Sequence, residues 1–138
     1  MRSIMLIALL AGLFLFISNP VEGAEDVPDC SIDMGPCIHT VAGRQVTFDI
    51  SPRPVKTMKE LTFTIRATGR NSELTILLDL SMPGMYMGRN EVLLKKNPDG
   101  SYSGKGIIPR CPSGNKLWRA ELTISGAGKV SYTFNVNR

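Results

Sequence analysis

The sequence predicts an all-β protein, an immunoglobulin-like antiparallel β-sandwich of about seven strands. From residue 45 onward, short runs of residues alternate between apolar and polar side chains. Clusters of Gly, Pro, Asn and Asp separate these runs at the intervals typical of a sandwich. No stretch after the N-terminal apolar segment has the periodicity of a helix. These observations together favour two packed sheets.

Residues 1–23 have the pattern of a signal peptide. Arg2 provides a positive charge, residues 4–17 are apolar, and residues 18–20 end the apolar run. An apolar helix of this length spans about 21 Å, less than the ~30 Å hydrocarbon core of a bilayer. We therefore expect an exported, periplasmic protein that is cleaved near Gly23. The alternative is an inner-membrane anchor formed by an uncleaved N-terminal segment.

The sequence contains three cysteines, Cys30, Cys37 and Cys111, and exported cysteines tend to pair. At most two can pair within the chain, so one is left as a free thiol, a metal ligand or a link to another chain. Residues 24–43 are polar and carry two prolines, and we expect an irregular N-terminal arm there. Cys30 and Cys37 can close a small loop in this arm, or either can bond to Cys111.

Residues 44–138 are expected to form one sandwich domain. Alternation is clearest in residues 45–50 and 61–66, each of which places three apolar side chains on one face. Residues 74–80 are β-competent throughout and predict a central strand. The other predicted strands cover residues 91–96, 101–108, 117–124 and 130–136.

The predicted central strand leads into a methionine-rich turn, residues 82–88, with the sequence Met-Pro-Gly-Met-Tyr-Met-Gly. Side chains two positions apart in an extended segment point to the same side, so Met85 and Met87 can present their sulfurs together. Thioether and thiolate sulfurs are soft ligands that select Cu(I). Methionine also fills gaps in hydrophobic cores, so packing alone is the alternative explanation of this turn.

A second sulfur-bearing turn, residues 109–114, contains Cys111. Each of the two turns follows a predicted strand, so both can lie at one end of the sandwich. A thiolate beside two thioethers would form a trigonal Cu(I) site. Met82 is either a third thioether ligand or a core residue, and His39, the one histidine of the sequence, is a further candidate ligand. A disulfide between Cys111 and the arm would remove this site.

The methionine turn and the segments that follow it resemble the YtkA-like domain family. The resemblance rests on residues 82–88, on residues 100–104, and on Gly114 with Trp118, and its layout covers residues 45–136. Membership would imply a small exported immunoglobulin-like sandwich. It would also imply similarity to CopC-type copper carriers and to accessory proteins of copper enzymes such as terminal oxidases.

The resemblance also suggests which side chains correspond to the family's motif. Met85 and Met87 match its methionine turn. Cys111 falls where family members can carry a methionine, so the thiol is a departure from the pattern. The spacer of three residues between Gly114 and Trp118 is longer than in the family's Gly-x-Trp element.

The predicted function is that of an exported Cu(I)-binding carrier or metallochaperone, with a membrane-bound or periplasmic copper protein as its partner. The alternative is a metal-free immunoglobulin-like module that docks on a membrane or periplasmic complex. We do not expect an enzyme, because no catalytic triad, zinc-type spacing or phosphate-binding loop is present. A net charge of +4, with scattered basic residues, does not predict nucleic-acid binding.

Overall fold

The computed structural model describes residues 27–69 and 73–138 of the chain. The predicted signal peptide, residues 1–23, lies outside these ranges. Within them, none of the elements is a helix with the length and apolar character that crossing a membrane requires.

The described residues form nine strands. They are β1 (Cys37–Val41), β2 (Arg44–Ser51), β3 (Glu60–Ala67), β4 (Ile76–Ser81), β5 (Glu91–Val92), β6 (Lys95–Lys96), β7 (Tyr102–Ile107), β8 (Leu117–Ile124) and β9 (Gly128–Asn135). These strands make a five-stranded sheet of order β1-β2-β3-β7-β6 and a four-stranded sheet of order β5-β4-β8-β9, and the paired strands are antiparallel. The predicted all-β antiparallel sandwich is therefore confirmed, and its strand order is compatible with the immunoglobulin-like arrangement.

Aromatic side chains from both sheets form the centre of the core. Phe48 and Phe63 come from the five-stranded sheet, whereas Trp118, Tyr132 and Phe134 come from the other sheet. All five are 0–1% exposed. The rings of Phe48 and Tyr132 lie 4.9 Å apart between centroids, so they stack across the two sheets. Each buried side chain of this size contributes about 1.5–3 kcal/mol of hydrophobic stabilisation.

The structure corrects the prediction of an irregular arm over residues 24–43, because residues 37–41 form strand β1. A two-residue turn joins β1 to β2, with Ala42 at φ 49° and Gly43 at φ 70°. Positive φ at both positions suits the right-handed twist of a hairpin, but alanine seldom adopts it. The turn therefore lacks the Asn-Gly or Asp-Gly signal that would have predicted this strand.

Residues 91–96 do not form the single strand that the sequence predicts. β5 pairs with β4 through Val92, and β6 pairs with β7 through Lys95, so the chain changes sheet between them. At this crossing the backbone of Leu93 lies directly against Gly104, where an added Cβ would overlap the Leu93 carbonyl oxygen. This division and the additional strand β1 account for nine strands in place of about seven.

We expect the substitution Gly104→Ala to lower the free energy of unfolding by about 1–3 kcal/mol, because the new methyl group displaces the Leu93 backbone. Urea denaturation followed by tryptophan fluorescence measures this change. Lys105→Ala is the control, since Lys105 is exposed and its ion pair with Glu60 lies at the surface. Equal stability of the two variants would show that the close approach at Gly104 does not constrain the fold.

Candidate metal centre

The cysteine pairing that the sequence leaves open is Cys30 with Cys37 in the structure. Cys37 begins β1, and the backbone N–H of Cys30 donates to the carbonyl oxygen of Thr133 on β9. These contacts hold the two Cα atoms 5.7 Å apart, within the range that a disulfide requires. Cys111 is left as a free thiol, and it is buried.

The two sulfur-bearing turns meet at one end of the sandwich. The methionine turn follows β4 in the four-stranded sheet, whereas the turn with Cys111 follows β7 in the five-stranded sheet. The Sγ atom of Cys111 lies 3.7 Å from the Sδ atom of Met85, although the two residues are 26 positions apart in the sequence. The Cys111 thiol is placed to donate a weak hydrogen bond to this thioether.

The local shape of the methionine turn explains how Met85 reaches Cys111. Met82 and Met85 form an isolated antiparallel bridge, and the Met85 N–H donates to the Met82 carbonyl oxygen over 3.2 Å. Gly84 reverses the chain between them at φ 74°, a conformation that favours glycine. Because Met82 and Pro83 are buried, the base of the turn is fixed to the sandwich and carries Met85 over Cys111.

The side chains of this centre differ strongly in exposure. Cys111 is 3% exposed, whereas Met85, whose thioether contacts the thiol, is 39% exposed. Tyr86 is 87% exposed, whereas Met87 is half-buried and packs against the core. Met85 and Met87 therefore both lean toward the body of the protein while Tyr86 points away, as expected of alternating side chains.

The surroundings of Cys111 stabilise its thiolate. The Ser113 hydroxyl lies 2.9 Å from the Cys111 Sγ atom and lowers the pKa of the thiol below its ordinary value of 9.0. Burial acts in the opposite direction, and the backbone of Ser113, Asn115 and Gly114 lowers the pKa further. The sequence analysis did not identify Ser113 as a hydrogen-bonding partner of Cys111. The signal in the sequence was that Ser113 follows Cys111 by two residues within the same turn.

The other predicted ligands have different surroundings. Met82 is 3% exposed and belongs to the hydrophobic core, which is the alternative that the sequence left open for it. His39 lies on β1, where its ring stacks on Tyr132 with 4.3 Å between centroids. Its Nδ1 atom lies 2.8 Å from the Ser131 carbonyl oxygen, which can only accept, so Nδ1 carries a proton there. Because its ring is held by these contacts, His39 does not join Cys111 and Met85 as a third member of the centre.

Nitrogen and oxygen ligands do not form an alternative centre in the described part of the chain. Residues 27–69 and 73–138 contain no group of three or more His, Cys, Asp and Glu side chains that could hold a metal ion. The carboxylate of Asp29 lies near His39, with 3.9 Å between Nε2 and Oδ1. Among the described residues, the pair formed by Cys111 and Met85 is therefore the arrangement best suited to bind a metal ion.

Comparison with protein-family models, with curated proteins and with solved structures gives no match to this chain. The similarity to the YtkA-like family stays a prediction from residues 82–118. The chemistry of the site must be inferred from its own geometry.

We expect Ser113→Ala to raise the pKa of Cys111, because the thiolate loses its hydrogen-bond donor. The ultraviolet absorbance of the thiolate, followed against pH, measures the shift. A lowered folded-state pKa stabilises the fold above the ordinary thiol pKa, and this stabilisation is lost as the pH falls through the lowered value. Ser113→Ala should therefore reduce stability at alkaline pH more than at neutral pH.

The control for this titration is Ser103→Ala, since the Ser103 hydroxyl bonds to Asn97 on another part of the surface. An unchanged Cys111 titration in Ser113→Ala would contradict the role assigned to the Ser113 hydroxyl.

Proposed function

We propose that this protein is an exported Cu(I) carrier that binds one ion between the Cys111 thiolate and the Met85 thioether. The observation that carries the proposal is the 3.7 Å separation of the two sulfurs. Two independent turns, one from each sheet, bring these soft donors together.

The separation fits a shared metal ion. A thiolate sulfur bonds to a d¹⁰ ion such as Zn²⁺ at about 2.3 Å, and we take this length for Cu(I) as well. Two such sulfurs bound to one ion at tetrahedral or trigonal angles lie about 3.8–4.0 Å apart. The Cys111 and Met85 sulfurs therefore need to move by only a few tenths of an ångström, about as much as a side chain adjusts within a packed site.

The donor set selects the metal. Thiolate and thioether sulfurs are soft ligands that favour Cu(I), and a thioether needs no deprotonation to bind it. Met87 follows two positions later in the same turn and is half-buried, and its thioether is the candidate for a third sulfur ligand. Met82 is held in the core, and His39 is held against Tyr132, so neither belongs to the proposed set.

The difference in exposure between the two sulfurs suits a carrier. The buried Cys111 thiolate is shielded from solvent, whereas the Met85 thioether is accessible and can exchange the ion with a donor or an acceptor. The proposal also includes export through the predicted signal peptide. The partner would be a periplasmic or membrane-bound copper protein.

A metal-free interaction module is the second candidate. Its support is that the Cys111 thiol already has hydrogen-bonding partners in Ser113 and Met85 without a metal. The exposed ring of Tyr86 would then be the centre of a contact surface, since tyrosine and methionine are enriched in protein interfaces.

Anaerobic titration with Cu(I) against a competing chelator tests the proposed function, with the disulfide left intact. We expect one tightly bound ion per chain, and about tenfold or greater weakening in Cys111→Ser and in Met85→Leu, because each loses a soft donor. Met85→Leu combined with Met87→Leu should weaken binding further.

Met34→Leu is the matched control, because this thioether is 88% exposed and lies beside the disulfide rather than in the methionine turn. A protein that retains no copper, or an affinity that Met85→Leu and Met87→Leu together leave unchanged, would contradict the carrier and favour the interaction module.

A further inference from the structure

Five cationic side chains lie in segments at the end of the sandwich that carries the sulfur pair, namely the β2–β3 connection, the β7–β8 connection and the segment after β9. They are Lys56, Lys59, Arg110, Lys116 and Arg138, and we call them the cationic rim. All five are exposed, and none of them has an ion pair with a carboxylate within residues 27–69 and 73–138. Most of the other described lysines and arginines do form ion pairs with carboxylates, for example Lys105 with Glu60.

Backbone contacts connect the members of the rim to the turn that contains Cys111. Arg110 precedes Cys111, and the Arg138 guanidinium lies against Gly114 in the same turn. Lys56 forms a parallel bridge with Asn137, the residue before Arg138. These contacts place Arg110, Arg138 and Lys56 at the same end of the sandwich as the sulfur pair.

Two further contacts complete the rim. The backbone N–H of Met58, next to Lys59, donates to the Ile108 carbonyl oxygen over 2.9 Å, just before the cysteine turn begins. The carbonyl oxygen of Lys116 accepts the N–H of Val136 over 2.9 Å, which fixes the chain that leaves this turn.

One acidic residue at this end, Asp33, is held by uncharged donors rather than by a cation of the rim. Asp33 accepts the Val55 backbone N–H and the Asn137 side-chain amide, each over 2.7 Å. The five cations of the rim outnumber this carboxylate, so the rim has a surplus of positive charge.

Exposed apolar side chains lie at the same end of the sandwich as the rim. Tyr86 and Met58 are 87% and 60% exposed, and Met85, which precedes Tyr86, contacts Cys111. Exposed aromatic and thioether side chains together with cationic ones are the composition of a protein interface, in which tyrosine, methionine and arginine are enriched.

We propose that this end of the sandwich docks on an acidic protein surface, whose carboxylates contact the cationic rim while its own metal ligands reach Met85. The inference rests on the proposed function, because it identifies the chemistry of the partner that exchanges Cu(I) with this site. Opposite charges steer such an encounter and fix its orientation. A protein is favoured over an anionic membrane, since a lipid surface has no soft donor to receive the ion from Met85.

Fluorescence anisotropy of labelled poly-glutamate, a soluble acidic polypeptide, tests this surface. We expect the protein to bind the probe, with an affinity that falls as salt is added. Arg110→Glu combined with Lys116→Glu should weaken binding by about tenfold or more, because two attractive contacts become repulsive. Lys56→Glu combined with Lys59→Glu provides an independent pair on the opposite part of the rim.

Lys95→Glu combined with Lys96→Glu is the matched control, since these exposed lysines on β6 have no ion pair in the described residues and the change in net charge is the same. The control pair should keep the affinity of the wild type within about twofold. Equal losses in the rim pairs and the control pair would overturn the proposal, because net charge alone would then explain binding. Absence of probe binding, or stronger rim-dependent binding to phosphatidylglycerol vesicles than to poly-glutamate, would also overturn it.

Cu(I) affinity measured on the same variants separates this inference from the proposed function. The rim variants should keep the Cu(I) affinity of the wild type, since they leave both sulfurs in place. Loss of copper binding in the wild type would refute the carrier while leaving the poly-glutamate result interpretable on its own.

Discussion

The bond between Cys30 and Cys37 determines the chemistry that the rest of the protein can perform. It closes the N-terminal arm on itself and holds it beside β9, where the Cys30 backbone bonds to Thr133. No cysteine of the chain then remains to form a disulfide with Cys111. In the oxidising environment that the signal-peptide pattern predicts, cysteines tend to pair. The buried thiol under Met85 is therefore available as a soft metal ligand.

The sandwich positions this thiol by fixing two turns that belong to different sheets. The stacked aromatic core holds the sheets together, and buried side chains at the base of each turn, Met82 and Cys111 themselves, limit how far the turns can move. If Cu(I) binds as proposed, the buried bases of the two turns reduce the ordering cost of binding. Met85 and its neighbour Tyr86 are the exposed large apolar side chains of the methionine turn.

Alternation of apolar side chains predicted most strands, because a half-buried strand imposes a period of two on its sequence. The sequence also predicted that the two sulfur-bearing turns can lie at one end of the sandwich, because each follows a strand. The same alternation did not predict strand β1, because its hairpin depends on Ala42 at positive φ. It did not predict the division of residues 91–96 either, because that depends on the contact of Leu93 with the distant Gly104. His39 is a polar residue whose stacking on Tyr132 no local pattern reveals. The cationic rim is scattered in sequence, and only the fold gathers it.

The most direct test of a shared Cu(I) site is X-ray absorption at the copper K edge of the loaded protein. A first shell made of sulfur alone, at about 2.3 Å, is the expected result, and Met85→Leu should lose one of these scatterers. A shell dominated by nitrogen or oxygen, or a sulfur shell that Met85→Leu leaves unchanged, would show that Cys111 and Met85 do not hold the ion together.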